Sequence, residues 1–522
     1  MIKRIIALLL VLISSLSAFS SIRPFLSISP YFVMDGHEVL DPKPEWKSDK
    51  DDYGYQYLLD RYDGIPSSSE TIQDSLLRFG ERKPLLEAGF EIEGERVFFA
   101  LKIEIREELY NFVTVSPKSN IPYLGNTRYA ITDAQYPQVA FLEYSNPYFL
   151  FSIGRRKLDM GPGKYSFILS SEAQPNLDSL VLGAFYNEGD FSLDYSFYAI
   201  PGTGEVFSSY GVASNIYKTF FVHKVAAANS YFRFGLSEIN CVYGSYPTLM
   251  DFTPFVLWHN LYVDEHSNVM IEVSLEGKIG PVRLWGEYAQ DDLYLNFGGL
   301  TEGGFNNKPT AIGVGLGFDW LLLDGEEYGR SDRSTLGYAF KEETLEEKGG
   351  LHLYGEFYWA SNYLYNRRSN YSVNYGGDIG TVTVFKNDQY GKFTLPYRFY
   401  SSHGGTTDKK DAYFLGFPFG PGTIYGMVSL EGENSRMKYG VGLSLLMRGE
   451  KDINSTIDSS SATDCIELQG EIKKIWSIST SLRLNASEIY RGLELDASTT
   501  FSYDEYYSTW VPEIAIGVVV TI

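Results

Sequence analysis

Apolar and non-apolar residues alternate through much of this chain. Val97, Phe99, Leu101, Ile103 and Ile105 alternate with Phe98, Ala100, Lys102, Glu104 and Arg106. The same period of two returns at Val269, Ile271, Val273 and Leu275, set against Met270, Glu272, Ser274 and Glu276. It returns at Ile312, Val314, Leu316, Phe318 and Trp320, set against Gly313, Gly315, Gly317 and Asp319. It closes the chain, with Ile514, Ile516, Val518, Val520 and Ile522 against Ala515, Gly517, Val519 and Thr521. In a strand, successive side chains point to opposite faces. Each segment therefore has an apolar face and a mostly polar or small one. Strands of about 10 residues with the apolar face outward are what a membrane barrel needs.

Turn chemistry joins these strands into hairpins. Asn187-Glu188-Gly189-Asp190, Gly94-Glu95 and the stretch Gly277 to Gly280 supply the backbone angles of tight turns. Longer polar stretches separate other pairs: Asn366–Asn370 running on to Gly376-Gly377-Asp378, and Lys451–Asp464. Short turns alternating with long loops match the two ends of an outer-membrane barrel. Helical pattern is confined to Ser67–Arg82 and Lys341–Lys348, as short helices in loops or inside the lumen.

The N-terminus adds an export signal. Lys3 and Arg4 precede an apolar core from Ile5 to Leu16, and Ala18 and Ser20 suit a cut after Ser20. That is the layout of a secretory signal peptide, residues 1–20, leaving 21–522 as one barrel domain. Past it, no apolar run approaches the roughly 20 residues of a spanning helix. A membrane crossing must then use strands, and only a closed barrel satisfies every backbone group in lipid. A soluble sandwich or propeller also alternates, but propellers repeat at a fixed period and this chain does not. The fold expected is all-β: a single transmembrane antiparallel β-barrel with few short helices, in the outer membrane.

Composition sharpens this. There are 41 Tyr, 34 Phe and 50 Gly in 522 residues, and such aromatic content suits strands and interface girdles. The net charge of −22 argues against nucleic acid, which needs a basic surface. Cys241 and Cys465 can pair in an oxidising compartment or stay reduced, but two cysteines make no disulfide framework.

Enzyme signatures are absent: no His-Glu-x-x-His, Cys-x-x-Cys or Gly-x-Ser-x-Gly occurs. Gly161-Pro162-Gly163-Lys164 falls short of a phosphate loop, with Leu158 and Tyr165 at the defining ends. His223, His259, His266 and His352 are scattered, so neither a metal site nor a cofactor is expected. The run Phe149–Ser170 stands out: a strand, the basic cluster Arg155-Arg156-Lys157, a Gly-Pro-Gly bend, then a second apolar stretch. One reading is a tight turn with its cations at the headgroup level. The other is an inward basic patch facing an acidic ligand. By alternation, Arg156 shares the lumen face with Ser152 and Gly154, while Arg155 follows Phe149, Phe151 and Ile153 to the outside.

This run resembles the signature of the Wzi-type capsule assembly family, in which a strand leads to Trp-Gly-Pro-Gly and a Leu-Ser-rich strand; Met160 stands at the Trp position. Three further segments match in order: His223-Lys224 with Phe234–Glu238, Leu284–Asp292, and Gly416–Pro421 with Arg448-Gly449-Glu450. The chain before Tyr148 shows little of the family's pattern, and Ile522 replaces the aromatic that often ends such barrels. The resemblance implies a barrel of about 18 strands, between 16 and 20. It also implies a non-enzymatic, lectin-like role in holding or organising surface polysaccharide. The candidate polysaccharide-binding residues are Arg156 first, then Arg155, Lys164, Glu238 and Glu287; Gly161, Pro162 and Gly163 shape the bend. Arg suits acidic sugars through paired donors, and aromatic rings suit sugar faces. A polar lumen with Lys102, Arg106, Arg156, Glu272 and Glu287 suits a porin or solute channel too, and a barrel enzyme or adhesin is the third class. Expected partners are surface polysaccharide, outer-membrane lipid and the barrel-assembly machinery, with the barrel a monomer.

Overall fold

The computed structural model describes residues 19–35, 71–107, 119–121, 138–172, 176–207, 213–243, 246–249, 251–253, 267–291, 311–327, 335–336, 348–366, 393–400, 407–451, 455 and 467–522. Eighteen antiparallel strands close into a barrel. Neighbours in the chain are neighbours in the wall, from Leu86–Gly94 round to Thr509–Thr521. The first strand closes the ring and is bent at Ser29-Pro30. Its lower part, Phe19–Ile28, pairs with Leu86–Gly94, and its upper part, Tyr31–Asp35, pairs with the last strand. Ile522 joins that seam through its backbone, exchanging hydrogen bonds with Leu26 at 2.9 and 3.2 Å.

The alternation read from the sequence sets the two faces. Leu275, Leu316, Trp320, Val441, Leu443 and Ile516 are exposed on the outside, although all are large and apolar. Lys224, Glu272, Glu287 and Glu356 are buried on the inside. That inverts a soluble protein and is what hydrocarbon outside and a polar lumen inside demand. Lys102, Arg106, Arg156, Glu272 and Glu287 all take the lumen side, as the period of two requires. No helix among the described residues is long and apolar enough to cross a membrane.

Short turns gather at one end of the barrel. Gly189 and Gly280 sit at φ +58° and +59°, the left-handed region that a side chain disfavours. The Gly189-Asp190 turn falls where the sequence puts it. The link expected over Gly277 to Gly280 is shorter: the strand runs on to Ile279, and Gly280-Pro281 makes the turn. Three other hairpins use one device the alternation does not reveal. Asn146, Asn229 and Asn434 each accept two backbone N–H bonds at 2.8–3.0 Å from residues two and three positions on. An Asn side chain closes a local ring there in place of a backbone turn. Most of the longer connections lie at the opposite end.

Of the two helical stretches, Ile72–Glu81 is a helix, capped by Thr71 and Asp74, and it lies inside the lumen. Residues 341–347 lie outside the described set, and Lys348 begins a strand. Residues 1–18, 367–392, 452–454 and 456–466 also lie outside it. So do the body of the signal segment, most of the two long polar loops, and Cys465. Cys241 is buried on the lumen face. The strand from Phe19 spans the expected cut after Ser20.

Candidate functional site: the filled lumen

The chain after the strand Phe149–Leu158 does not form a turn at the headgroup level. It folds inward and fills part of the lumen. Met160, Ser166, Phe167, Ile168, Leu169 and Ser170 are all fully buried. The bend is closed by Met160 N–H donating to Leu169 carbonyl at 3.0 Å. We call residues 159–171 the inner segment.

The wall holds this segment through polar side chains from distant strands. Lys224 donates to the Met160 carbonyl at 2.5 Å, and Arg283 to the Pro162 carbonyl at 2.8 Å. Glu356 accepts the Lys164 N–H at 2.6 Å, and Glu272 accepts the Ser166 hydroxyl at 3.2 Å. Tyr358 donates to the Tyr165 carbonyl at 2.8 Å, and Tyr365 to the Phe167 carbonyl, also at 2.8 Å. The inner segment has no regular secondary structure, so these bonds answer backbone groups that water would otherwise serve.

Small residues in the wall make the room. Gly313, Gly315 and Gly317 face inward opposite Tyr358, Glu356 and the Trp285–Ala289 stretch. A β-carbon on Gly313 would meet the Phe167 ring at 2.6 Å, and one on Gly315 would meet Glu287 at 2.7 Å. The Gly-x-Gly-x-Gly alternation thus marks where the lumen is occupied.

An aromatic cluster finishes the packing. Phe417 stacks on Tyr358 at 5.3 Å between centroids and meets Phe167 at 5.6 Å. Tyr165 takes Tyr358, Phe419 and Tyr425 edge-on, each at 5.7 Å. Edge-to-face pairs at such distances add to the stabilisation from burial alone. The matched stretches Gly161-Pro162-Gly163 and Gly416–Pro421 and the described part of the third, Leu284–Asp291, therefore converge in space. Arg448 of a further matched stretch grips Asp74 of the helix Ile72–Glu81 at 2.6 Å. Arg82, just past that helix, reaches Glu513 at 3.0 Å, and Arg106 donates to the carbonyls of Phe79 and Arg82.

The candidate residues separate into three places. Gly161, Pro162, Gly163 and Lys164 belong to the inner segment, and Glu287 faces it from the wall. Among the described residues, neither carboxylate oxygen of Glu287, which is 4% exposed, has a hydrogen-bond partner. Arg156 does face the lumen, but it is committed: it pairs with Glu143 at 2.6 Å and lies 3.8 Å over the Phe141 ring. It is 1% exposed, so an acidic polymer has no access to it. Arg155 points outward as expected, in a two-pronged pair with Asp178 at 2.7 and 2.8 Å. Glu238 is also on the outward face, buried beside His223, with which its backbone pairs. Tyr195 hydroxyl lies 2.8 Å from His223 there, and Phe252 packs edge-on over Phe221 at 5.0 Å. Neither proposed role of the basic cluster, headgroup turn or inward patch, describes both Arg155 and Arg156.

The sequence reading missed Tyr354, Glu356, Tyr358 and Tyr365, which hold the inner segment. The first three were legible as inward positions of one strand, Lys348–Ala360. Tyr365 carries φ +70°, a strained backbone for a non-glycine, and only the folded structure reveals it. Among the described residues no group of three or more His, Cys, Asp or Glu could hold a metal ion.

No family model matches the chain, and no curated protein matches it. Solved structures do. Wzi of Escherichia coli, an outer-membrane carbohydrate-binding β-barrel involved in group 1 capsule assembly, aligns over 97% of this chain and 85% of its own. Its TM-score is 0.50 at 11% identity. OccAB2 of Acinetobacter baumannii aligns over 97% and 99%, with TM-score 0.42 and 9% identity. A BenF-like porin from Pseudomonas fluorescens aligns over 97% and 99%, with TM-score 0.40 and 6% identity. What this chain shares with Wzi is the fold: it is a β-barrel of the outer-membrane type.

Proposed function

We propose that the protein sits in the outer membrane and binds or organises surface polysaccharide, without catalysis and without serving as an open pore. One observation carries this reading: a bonded, aromatic-packed inner segment and a helix tied to the wall occupy much of the lumen. A general porin needs a continuous water path. Here two chain segments stand in that path, each held by several charged or hydroxyl donors. The likeness to a carbohydrate-binding barrel agrees with this reading, while the porins share the same barrel and speak for the alternative. The partners proposed are polysaccharide, surrounding lipid and the assembly machinery, with the barrel acting as a monomer.

Planar-bilayer recording separates the two. The protein is expected to give no stable open channel, and retention on surface polysaccharide is expected from the same preparation. Stable conductance without retention would favour the solute channel. Deleting the protein should release polysaccharide from the cell surface.

A further inference from the structure

The inner segment and the helix do not fill the whole lumen. Beside them lies a cavity of ≈ 850 Å³ against the last five strands, from Thr423–Glu433 to Thr509–Thr521. That is within the range of ordinary ligand pockets. One side of its wall carries a patch of hydroxyls: Ser444, Ser477, Ser479, Ser481, Ser498 and Ser502 face it from three adjacent strands. Gly440 and Gly442 keep the wall low between them. Adjacent strands stand about 4.8 Å apart, so the hydroxyls form a grid rather than a point. At the closed end lie Phe419 and Tyr425, stacked on each other at 4.6 Å. Near the short-turn end, the lumen-facing Lys438 and Arg483 side chains remain 44% and 38% exposed, so the cavity opens there.

Charge decides what the cavity takes. Each cation on its wall has a carboxylate beside it. Arg78 and Arg82 face Glu513, Lys83 and Arg483 face Asp496, Lys438 faces Glu433, and Lys164 faces Glu81 and Glu172. A polyanion entering would meet carboxylates as often as cations, and would have to break existing pairs. A neutral polyol meets hydroxyls that both donate and accept, and an aromatic pair that offers apolar surface.

We propose that this cavity binds a neutral, hydroxyl-rich oligosaccharide segment. The inference rests on the polysaccharide reading and refines it, since it places a neutral glycan inside the lumen rather than an acidic one on the basic cluster.

The test uses the full-length protein in detergent micelles, with maltotetraose as the neutral probe and trigalacturonate as the acidic one, both by titration calorimetry. Ser479→Cys is nearly isosteric, and a benzyl methanethiosulfonate reagent then blocks the cavity after folding; reagent-treated wild type controls for Cys241 and Cys465. Maltotetraose should bind, trigalacturonate at least tenfold more weakly, and the blocked variant should lose at least tenfold in maltotetraose affinity. Absent maltotetraose binding, tighter trigalacturonate binding, or unchanged affinity in the blocked variant would each overturn the proposal. Retention of wild type on surface polysaccharide is measured alongside. Retention without maltotetraose binding removes the cavity site and keeps the broader reading; loss of both removes both.

Discussion

At Gly163 a β-carbon would sit against the Glu356 carboxylate, 2.6 Å from Tyr358 Oη and 2.7 Å from Trp285 Nε1. Nothing there can retreat cheaply, because Glu356 and Tyr358 already hold the inner segment. Gly163→Ala should cost about 1–3 kcal/mol, as overpacking does elsewhere. The check is the temperature at which the compact, heat-modifiable gel band is lost; no shift would mean the segment is looser than its contacts imply. Asp159, just past its strand, gives a pH prediction. Burial pushes its carboxyl up to about 7, against partial relief from the Ser171 hydroxyl and the Gly161 N–H. Between the ordinary value near 4 and about 7, the folded protein keeps a proton that the unfolded chain has released. Stability should therefore fall as pH rises through that window and level off above it. Asp159→Asn should flatten this part of the profile, read as gel-band midpoints from pH 4 to 8 against wild type.

The helix Ile72–Glu81 is held at both ends of its charge pattern. Asp74 in its first turn meets Arg448, while Arg78 and Arg82 near its end meet Glu513. Both side chains of the Asp74–Arg448 pair are nearly buried, so removing one partner strands the other. Arg448→Ala should loosen the helix by about 1.5–3 kcal/mol, the range for a hydrogen bond to a charged group. Intermittent conductance should then appear in a bilayer where wild type shows none; a silent variant would place the block in the inner segment alone. The element scale is also where the sequence was most readable. A period of two is a geometric consequence of the strand, so wall, faces and lumen polarity could be taken from Val97–Arg106 or Ile312–Trp320 directly. The short helix falls within the stretch Ser67–Arg82 that the sequence marks as helical, and the folded chain adds the cap made by Thr71 and Asp74. What the period cannot show is occupancy. The bend at Gly161-Pro162-Gly163 obeys the same local chemistry whether it lies at a headgroup or inside the barrel. Only the pairing of Gly313, Gly315 and Gly317 with Trp285, Glu287 and Phe167 decides it, and that pairing spans long stretches of chain. Arg156 shows the same limit: alternation gave its face correctly, but not that Glu143 and Phe141 already occupy its guanidinium.

For the whole molecule, the two faces make opposite demands on one kind of change. Leu316 stands 53% exposed on the outside, midway along a strand, directly between neighbours that pair as Gly286 and Phe357. In water an exposed Leu→Arg change is nearly neutral. In a bilayer the same change places a cation in hydrocarbon, at about 2–4 kcal/mol near the midplane. Ser479 makes the contrasting case on the inner wall, where a cavity and polar neighbours receive a larger polar side chain. Leu316→Arg should therefore slow or prevent barrel formation in lipid vesicles, while Ser479→Gln should leave it intact. The readout is the fraction of heat-modifiable protein after refolding into vesicles of defined thickness. The Leu316→Arg penalty should shrink in thinner bilayers, because the charge then lies closer to the interface. A penalty independent of lipid, or equal at both positions, would contradict the membrane-facing assignment of the outer wall, and with it the division of labour between an apolar exterior and a polar, partly filled interior.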